Sequence, residues 1–374
     1  MAIVCHAGGY SQLNIFTGNT MIKFKKFLYE SDLATKKFKD YLSFLAEDNI
    51  SLSQAPKSVN WGTVKAGFDQ AKDPTKRSQL GKQGRKMRPE LLGDAGSNPK
   101  LAKEAEVIPE FKTKGLSLSP SDESGRINTC SCATAECRAA CLNKSGHGAF
   151  DPTQEARLRK TDFMLDNPGH FMGMLHDEIQ AHERSSTRQG KRAAVRLNVV
   201  SDIPYEHLHP EIFTENPNVQ FYDYTKIARR VLNSDGTARQ LPANYHLTLS
   251  STGIHKGSNW SDARQHLDNG GVVAMVFAIP AGRGGKPGAP LPTHVVDQKS
   301  GKRYRVIDGD IHDHRHLDHK YNDAEPGEGL IAGLRLKRVE QKDWQHVLSK
   351  AGDFAVKVPT GQTEVVVPDH SKQP

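Results

Sequence analysis

Gly271-Val-Val-Ala-Met-Val-Phe-Ala-Ile279 is almost wholly apolar. A strand with one wet face alternates apolar and polar residues, and this one does not. It reads as a strand buried on both faces, as in a parallel sheet covered by helices. Shorter strand patterns flank it: Ala194-Val-Arg-Leu-Asn-Val-Val200, Val219-Gln-Phe-Tyr-Asp-Tyr224 and Tyr245-His-Leu-Thr-Leu249 before, and Leu330-Ile-Ala-Gly-Leu-Arg-Leu336 after. Gly115-Leu-Ser-Leu-Ser-Pro120 alternates and stops at proline, giving a sixth. Helical spacing lies between them. Leu158, Met164 and Leu165 precede the break at Asn167-Pro168, and Phe171, Met174, Leu175 and Ile179 follow it. Alternation of strand and helix implies parallel pairing with right-handed crossovers. The expected fold is α/β: a partial or full (β/α) barrel of about six parallel strands with a helical, basic N-terminal extension.

The chain has 374 residues, enough for one large domain or two unequal ones. Residues 1–20 are weakly patterned. Residues 21–110 read as a helical, basic region, with apolar helical spacing between Met21 and Leu45. Residues 111–345 carry the strand–helix alternation, and 346–374 read as a strand with a polar tail. Hydrophobic residues make up only 36%. No apolar run approaches the ~18 residues of a membrane span, which excludes an integral helical membrane protein. The N-terminus has no basic stretch followed by a long apolar one, so no signal peptide is read and a cytoplasmic location is expected.

The formal net charge is +8, which makes a polyanion, above all nucleic acid, the first partner to consider. The charge is not spread evenly. Residues 57–88 hold Lys57, Lys65, Lys72, Lys76, Arg77, Lys82, Arg85, Lys86 and Arg88 against Asp69 and Asp73. Lys82, Arg85, Lys86 and Arg88 form a basic arm suited to phosphate contact. A solvated linker is the bland alternative. No zinc-finger, helix-turn-helix or RNA-recognition pattern accompanies them.

Four of the five cysteines fall within twelve residues: Cys130-Ser-Cys132-Ala-Thr-Ala-Glu-Cys137-Arg-Ala-Ala-Cys141. A secreted disulfide scaffold distributes its cysteines; this grouping points to metal in a reducing compartment. Cys130, Cys132, Cys137 and Cys141 are the candidate metal ligands. Structural zinc prefers two short pairs separated by a longer linker. One loop carrying every thiol directly after a strand favours an iron–sulfur cluster, with structural zinc as the alternative. If three of the four bind a 4Fe–4S cluster, one iron stays open to a small ligand.

Polar residues recur where the strands end, the face that carries active sites in α/β barrels. Asp202, Asp223, Lys226 and Ser250 are the candidate catalytic residues on that rim. Arg196, Asn198, Ser201 and Thr248 are candidate contacts to a zwitterionic cofactor such as S-adenosylmethionine. Taken singly, each is more simply a helix cap or turn residue; their repetition is what suggests a site. Asp308 to His319 is dense in Asp and His and includes Arg315. It suits a second metal, a phosphate or a nucleic-acid backbone, or else a polar surface loop. It lacks the register of an EF-hand. Lys299-Ser-Gly-Lys302 just before fits a hairpin turn. Gly282 to Gly288 is flexible and basic but lacks the phosphate-loop pattern.

The cysteine loop after its strand, Arg196-Leu-Asn198 to Ser201-Asp202-Ile203, Tyr222-Asp-Tyr-Thr-Lys226, His246-Leu-Thr-Leu-Ser250 and Asp308-Gly-Asp310 through Asp318 together resemble the phage "gene product eighty-eight" proteins. The resemblance spans roughly residues 110–340. The layout also resembles the radical S-adenosylmethionine barrel, with a longer cysteine spacing than that family's usual loop. The resemblance implies a 4Fe–4S cluster on three of the four cysteines and cofactor contacts near Arg196 and Asn198. It implies isomerisation of a modified thymine in phage DNA, from an N-linked glycyl group to a C-linked one, in the host-cell cytoplasm. Two other readings stand beside it: a zinc-stapled nucleic-acid-binding protein, and a metal-dependent nuclease using residues 308–319.

Overall fold

The computed structural model describes residues 90–94, 107–166, 168–282, 288–338 and 343–372. The weakly patterned start, the helix expected at 21–45 and the basic arm with Lys82, Arg85, Lys86 and Arg88 lie outside these residues, as does most of the glycine-rich loop at 282–288.

Among the described residues, ten strands form one sheet. They are β1 Leu92–Asp94, β2 Phe111–Leu116, β3 Arg192–Arg196, β4 Gln220–Thr225, β5 Tyr245–Ser250, β6 Val272–Pro280, β7 His294–Asp297, β8 Arg303–Asp308, β9 Leu330–Leu336 and β10 Glu364–Val367. The order across the sheet is β1-β2-β3-β4-β5-β6-β9-β8-β7-β10. From β2 to β8 every neighbouring pair is parallel. β2 to β6 also lie side by side in chain order. The first and last neighbours differ: β1 runs antiparallel to β2, and β7 antiparallel to β8, with β10 parallel to β7.

The parallel α/β expectation therefore holds, but the sheet does not close. It ends in β1 and β10, so a full barrel is not formed. β1 is too short to leave a periodic signature, and it falls in a region read as helical. The hairpin expected at Lys299–Lys302 joins β7 to β8. The C-terminal strand is present and belongs to this same sheet.

The helices follow from their sequences. α1 (Ala135–Ala139) is a short turn within the cysteine loop. α2 (Asp151–Asp166) and α3 (Pro168–Thr187) are separate helices. Pro168 opens α3 because a first-turn N–H has no helical partner to lose. α4 spans Trp260–Asp268 and α5 spans Trp344–Ala351. Phe163, Phe171, Leu175 and Ile179 of α2 and α3 pack with Ala193, Val195, Leu197, Phe221, Leu247 and Leu249 of the sheet. Fully burying each large apolar side chain contributes ~1.5–3 kcal/mol.

Residues 309–329 cross from β8 to β9, and part of this crossover covers the opposite face of the sheet. Ala194 and Tyr222 share a buried cluster there with Ile108 and Phe111, and Leu317 packs against it. The Asp/His-rich stretch is thus mostly interior: His312, Asp313, His314, Arg315 and Asp318 are all buried.

Candidate functional site

The cysteine loop hangs between β2 and α2, at the carboxyl ends of the parallel strands. It is tied down at both ends. Thr129 Oγ1 donates to the Ser119 carbonyl at 2.6 Å, and the Asp202 N–H donates to the Thr129 carbonyl at 2.7 Å. Ser121, at φ 51°, adopts the left-handed conformation unusual for serine, and its carbonyl accepts the Thr129 N–H at 2.9 Å. Thr134 caps α1 by accepting from the Cys137 N–H at 3.1 Å. Cys141 caps the next turn, its sulfur accepting from the Asn143 N–H at 3.5 Å.

Cys130, Cys137 and Cys141 are free thiols, each partly buried, whereas Cys132 is disulfide-bonded, which corrects its expected role as a metal ligand. Cys130 donates to the Val200 carbonyl at 3.5 Å. Burial pushes Cys130 up to about 12, with the Ser121 backbone opposing and Asp202 and Cys141 adding to the rise. Burial also raises Cys141, and Cys137 adds to it. Lys226 follows β4. Burial alone would lower its ammonium, but Cys137, Asp202 and Cys130 outweigh that and raise it. The ammonium lies 5.3 Å from the centre of the Phe354 ring.

The C-terminal segment builds the far wall. Ala140, beside α1, packs on Leu336, Val347, Ala351 and Ala355. Gly253, at φ +116°, follows β5. A Cβ there would lie 2.2 Å from the Asp353 carbonyl. Glycine therefore lets this loop touch the turn that carries Phe354.

The other expected rim residues are mostly committed to one another. Asp202 accepts from the Lys226 N–H at 2.8 Å and from the Arg230 guanidinium. Arg230, 1% exposed, also binds Glu206 at 2.7 and 2.8 Å and donates to the Tyr245 hydroxyl at 3.0 Å. Tyr245 donates to Asp223 at 3.3 Å. Asp223 accepts the Asn198 N–H at 2.8 Å, and Asn198 Oδ1 accepts from Ser201 Oγ at 2.9 Å and from the Ile203 N–H at 2.8 Å. Asp202, Asp223, Asn198 and Ser201 thus belong to one buried network that clamps the ends of β3, β4 and β5. Their residue types signal the location, but Arg230, Glu206 and Tyr245, which complete the network, carry no sequence signal.

Arg196 is also occupied. It forms a buried ion pair with Asp313 at 2.9 Å, and the Tyr224 hydroxyl donates to the other Asp313 oxygen at 2.9 Å. Arg315 pairs with Asp318 at 3.2 Å, both 1% exposed. Its guanidinium faces the interior, which corrects its expected role as a nucleic-acid contact. Asp308 and Asp310 pair with Arg335 at 2.8 and 3.1 Å. Thr248 is fully buried, and its Oγ1 has no hydrogen-bond partner among the described residues. The same holds for His246 Nε2 and both ring nitrogens of His316; these rings lie 6.3 Å apart. Ser250 sits at the end of β5, its carbonyl accepting from Asn259 at 2.9 Å. Among the described residues, no three His, Cys, Asp or Glu side chains close on a point that would hold one metal ion.

Residues 87–343, more than half of the chain, match the family described as gene product 88. The chain belongs to the gene product 88 family. The matched range begins ahead of β1 and takes in the cysteine loop, the clamp network and the strands through β9; α5, Phe354 and β10 lie beyond it. No curated protein and no solved structure matches the chain. Among the described residues, no helix is long and apolar enough to cross a membrane.

Proposed function

We propose that Cys130, Cys137 and Cys141 hold a 4Fe–4S cluster and that the chain is a radical S-adenosylmethionine-type enzyme. Its substrate would be a modified thymine base in phage DNA, with isomerisation of an N-linked glycyl-thymidine to the C-linked form as the reaction. One observation carries the reading: three free thiols stand in one loop at the carboxyl edge of a run of parallel strands, directly after the first of that run. The donor set suits the group. Thiols are soft donors that give up their protons when a cationic core binds.

When bound, the cluster supplies one electron for reductive cleavage of S-adenosylmethionine. The chain's own residues do the rest. The clamp of Asn198, Asp223, Arg230 and Asp202 fixes the strand ends that frame the cluster loop. Thr248 and Ser250, not committed to the clamp, remain candidates for polar contacts to cofactor or substrate. The basic arm at 82–88 supplies phosphate contacts, since a base within a duplex must be flipped out or presented single-stranded.

Zinc is the less favoured reading. Structural zinc prefers two short cysteine pairs separated by a longer linker, and here the cysteines share one loop. The nuclease reading is less favoured, because Asp308, Asp310 and Asp313 are paired with arginines.

The test is anaerobic purification with iron, sulfide and zinc analysis and a visible spectrum. Brown protein is expected, with iron and sulfide lost in Cys130→Ala, Cys137→Ala and Cys141→Ala and kept in Cys132→Ala. Wild-type protein should cleave S-adenosylmethionine reductively, and Cys137→Ala should not. Colourless protein holding one zinc per chain, after iron–sulfur reconstitution has failed, would overturn the proposal.

A further inference from the structure

We infer that the exposed rings of His147 and Phe150 form a stacking platform for the unpaired bases of a DNA strand. This rests on the DNA reading above and adds where the strand lies: beside the cysteine loop, at the carboxyl edge of the sheet. Among the described residues seven large apolar side chains are exposed, and three of them, Leu142, Phe150 and Leu158, follow closely on Cys141. Phe150 is 51% exposed. His147 is exposed beside it, with the ring centroids 5.3 Å apart and the planes tilted by 39°.

The rings are outside because the backbone holds them there. The Phe150 carbonyl accepts from the Thr153 N–H at 2.9 Å and the Gln154 N–H at 3.1 Å, which fixes Phe150 at the head of α2. The Gly148 carbonyl accepts from Arg157 at 3.3 Å and from Gln154 at 3.5 Å. A Cβ on Gly148 would lie 2.5 Å from the Leu142 carbonyl, so the turn that carries His147 lies tight against the one that carries Leu142. Phe150, Gln154 and Leu158 follow at intervals of four and share one face of α2. A fixed, half-exposed ring offers a flat apolar surface on which any unpaired base can stack.

The cations beside the rings are met by local acids: Lys144 faces Glu123 at 3.9 Å and Arg159 faces Glu155 at 3.4 Å. The charge for phosphates comes from the chain ahead of β1. Leu92 pairs with Leu116, the last residue of β2, so β1 begins at the carboxyl edge. Glu178 accepts the Leu91 N–H at 3.0 Å and the Leu92 N–H at 2.8 Å, and Lys160 of α2 donates to the Leu91 carbonyl at 2.7 Å. The basic arm is therefore tethered at a fixed point on α2. Phe150 and Lys160 are ten positions apart, about 15 Å at the helical rise. Arg88 and Lys82 stand three and nine positions before Leu91, at most about 11 and 32 Å of extended chain. Chain length thus lets the arm hold phosphates of the same strand whose bases meet the rings. A double helix keeps its base faces covered, so the platform selects single-stranded or flipped-out bases.

The experiment is fluorescence anisotropy of the full chain with a short labelled oligothymidylate, free or paired with oligoadenylate. Phe150→Ala should weaken binding of the free strand by about tenfold, the order expected for one stacked base. Its duplex binding should stay within about twofold of wild type, and its salt slope should not change, because no phosphate contact is removed. Phe150→Trp should bind the free strand at least as well as wild type, and its added fluorescence should be quenched by the bound bases. Circular dichroism confirms that both variants are folded. Unchanged single-strand binding in Phe150→Ala, or equal weakening on both forms, would overturn the inference and leave the DNA reading standing. Added tryptophan fluorescence that the oligothymidylate does not quench would overturn it too. Wild-type protein that binds neither form would instead sink the DNA reading, and the inference with it.

Discussion

Asp223 accepts the backbone N–H of Asn198 at 2.8 Å and its side-chain amide at 3.3 Å, so one carboxylate joins the ends of two neighbouring strands. Burial pushes this carboxyl up to about 6, against the lowering effects of Arg196 and Asn198. In the unfolded chain it titrates near the usual ~3.9. The native state therefore binds this proton more tightly than the unfolded state. The contribution to stability is full below about pH 4, and is lost as pH rises through about 6. Asp223→Asn keeps an oxygen to accept from Asn198 but cannot titrate. Denaturant unfolding across that range should show wild type losing stability relative to the variant, with a constant difference above it. A pH-independent difference would show that Asp223 is not shifted upward.

Arg230 neutralises Asp202 and Glu206 in the interior. Removing one partner of a buried ion pair strands the others and costs about 3–5 kcal/mol. Arg230→Met should lower the unfolding free energy by that order, measured by denaturant titration followed with circular dichroism. Arg230→Lys should fall between, since one ammonium cannot reproduce the forked contacts to two carboxylates and a tyrosine. A loss below about 1 kcal/mol, no more than a surface pair is worth, would mean that the clamp does not carry the strand ends.

Gly253 and Gly361 both have positive φ, at +116° and +77°, but they differ in what surrounds them. A methyl group added at Gly253 would meet a backbone carbonyl at 2.2 Å, whereas one added at Gly361 would meet nothing within 4 Å. Gly361→Ala should cost only the conformational penalty, ~1–2 kcal/mol. Gly253→Ala should cost clearly more, because the loop must also withdraw from the turn that carries Phe354. Paired thermal unfolding of the two variants separates the two effects. Equal losses would show that the close approach at Gly253 is not needed.

The parallel strands are legible in the sequence because strands buried on both faces leave apolar runs that few other structures produce. β3, β4, β5, β6 and β9 lie within a few residues of their sequence patterns. β2 starts earlier than expected, at Phe111, because Lys112 and Lys114 disguise a half-buried strand. The site is legible in its cysteines and in the polar strand ends. It is illegible in pairing. Arg196 and Asp313 are 117 positions apart, and no local pattern states that they meet. The Asp/His stretch looks like a ligand loop because the sequence displays its charged groups and hides their partners. Lys226 stands out in the sequence as a polar residue after a strand; that its backbone N–H meets the Asp202 carboxylate, 24 positions earlier, is not stated by any local pattern.

The basic arm carries the last prediction. If DNA is the partner, each phosphate contact adds about 0.9 to the slope of log affinity against log salt. Changing Lys82, Arg85, Lys86 and Arg88 to glutamine should flatten that slope and weaken binding similarly for all duplex sequences. Fluorescence anisotropy over a salt series measures both. An unchanged slope would remove the arm from the DNA-binding surface.

Among the described residues, β10 is the neighbour that covers the outer side of β7, and it arrives well after β7 in the chain. A ribosome making this protein therefore exposes β7 with unpaired backbone groups until residues 364–367 emerge. An open strand edge of this kind invites pairing with another chain. Crowded synthesis should make the nascent molecule prone to sticking at this edge, and a stop codon placed before Glu364 should make that hazard permanent.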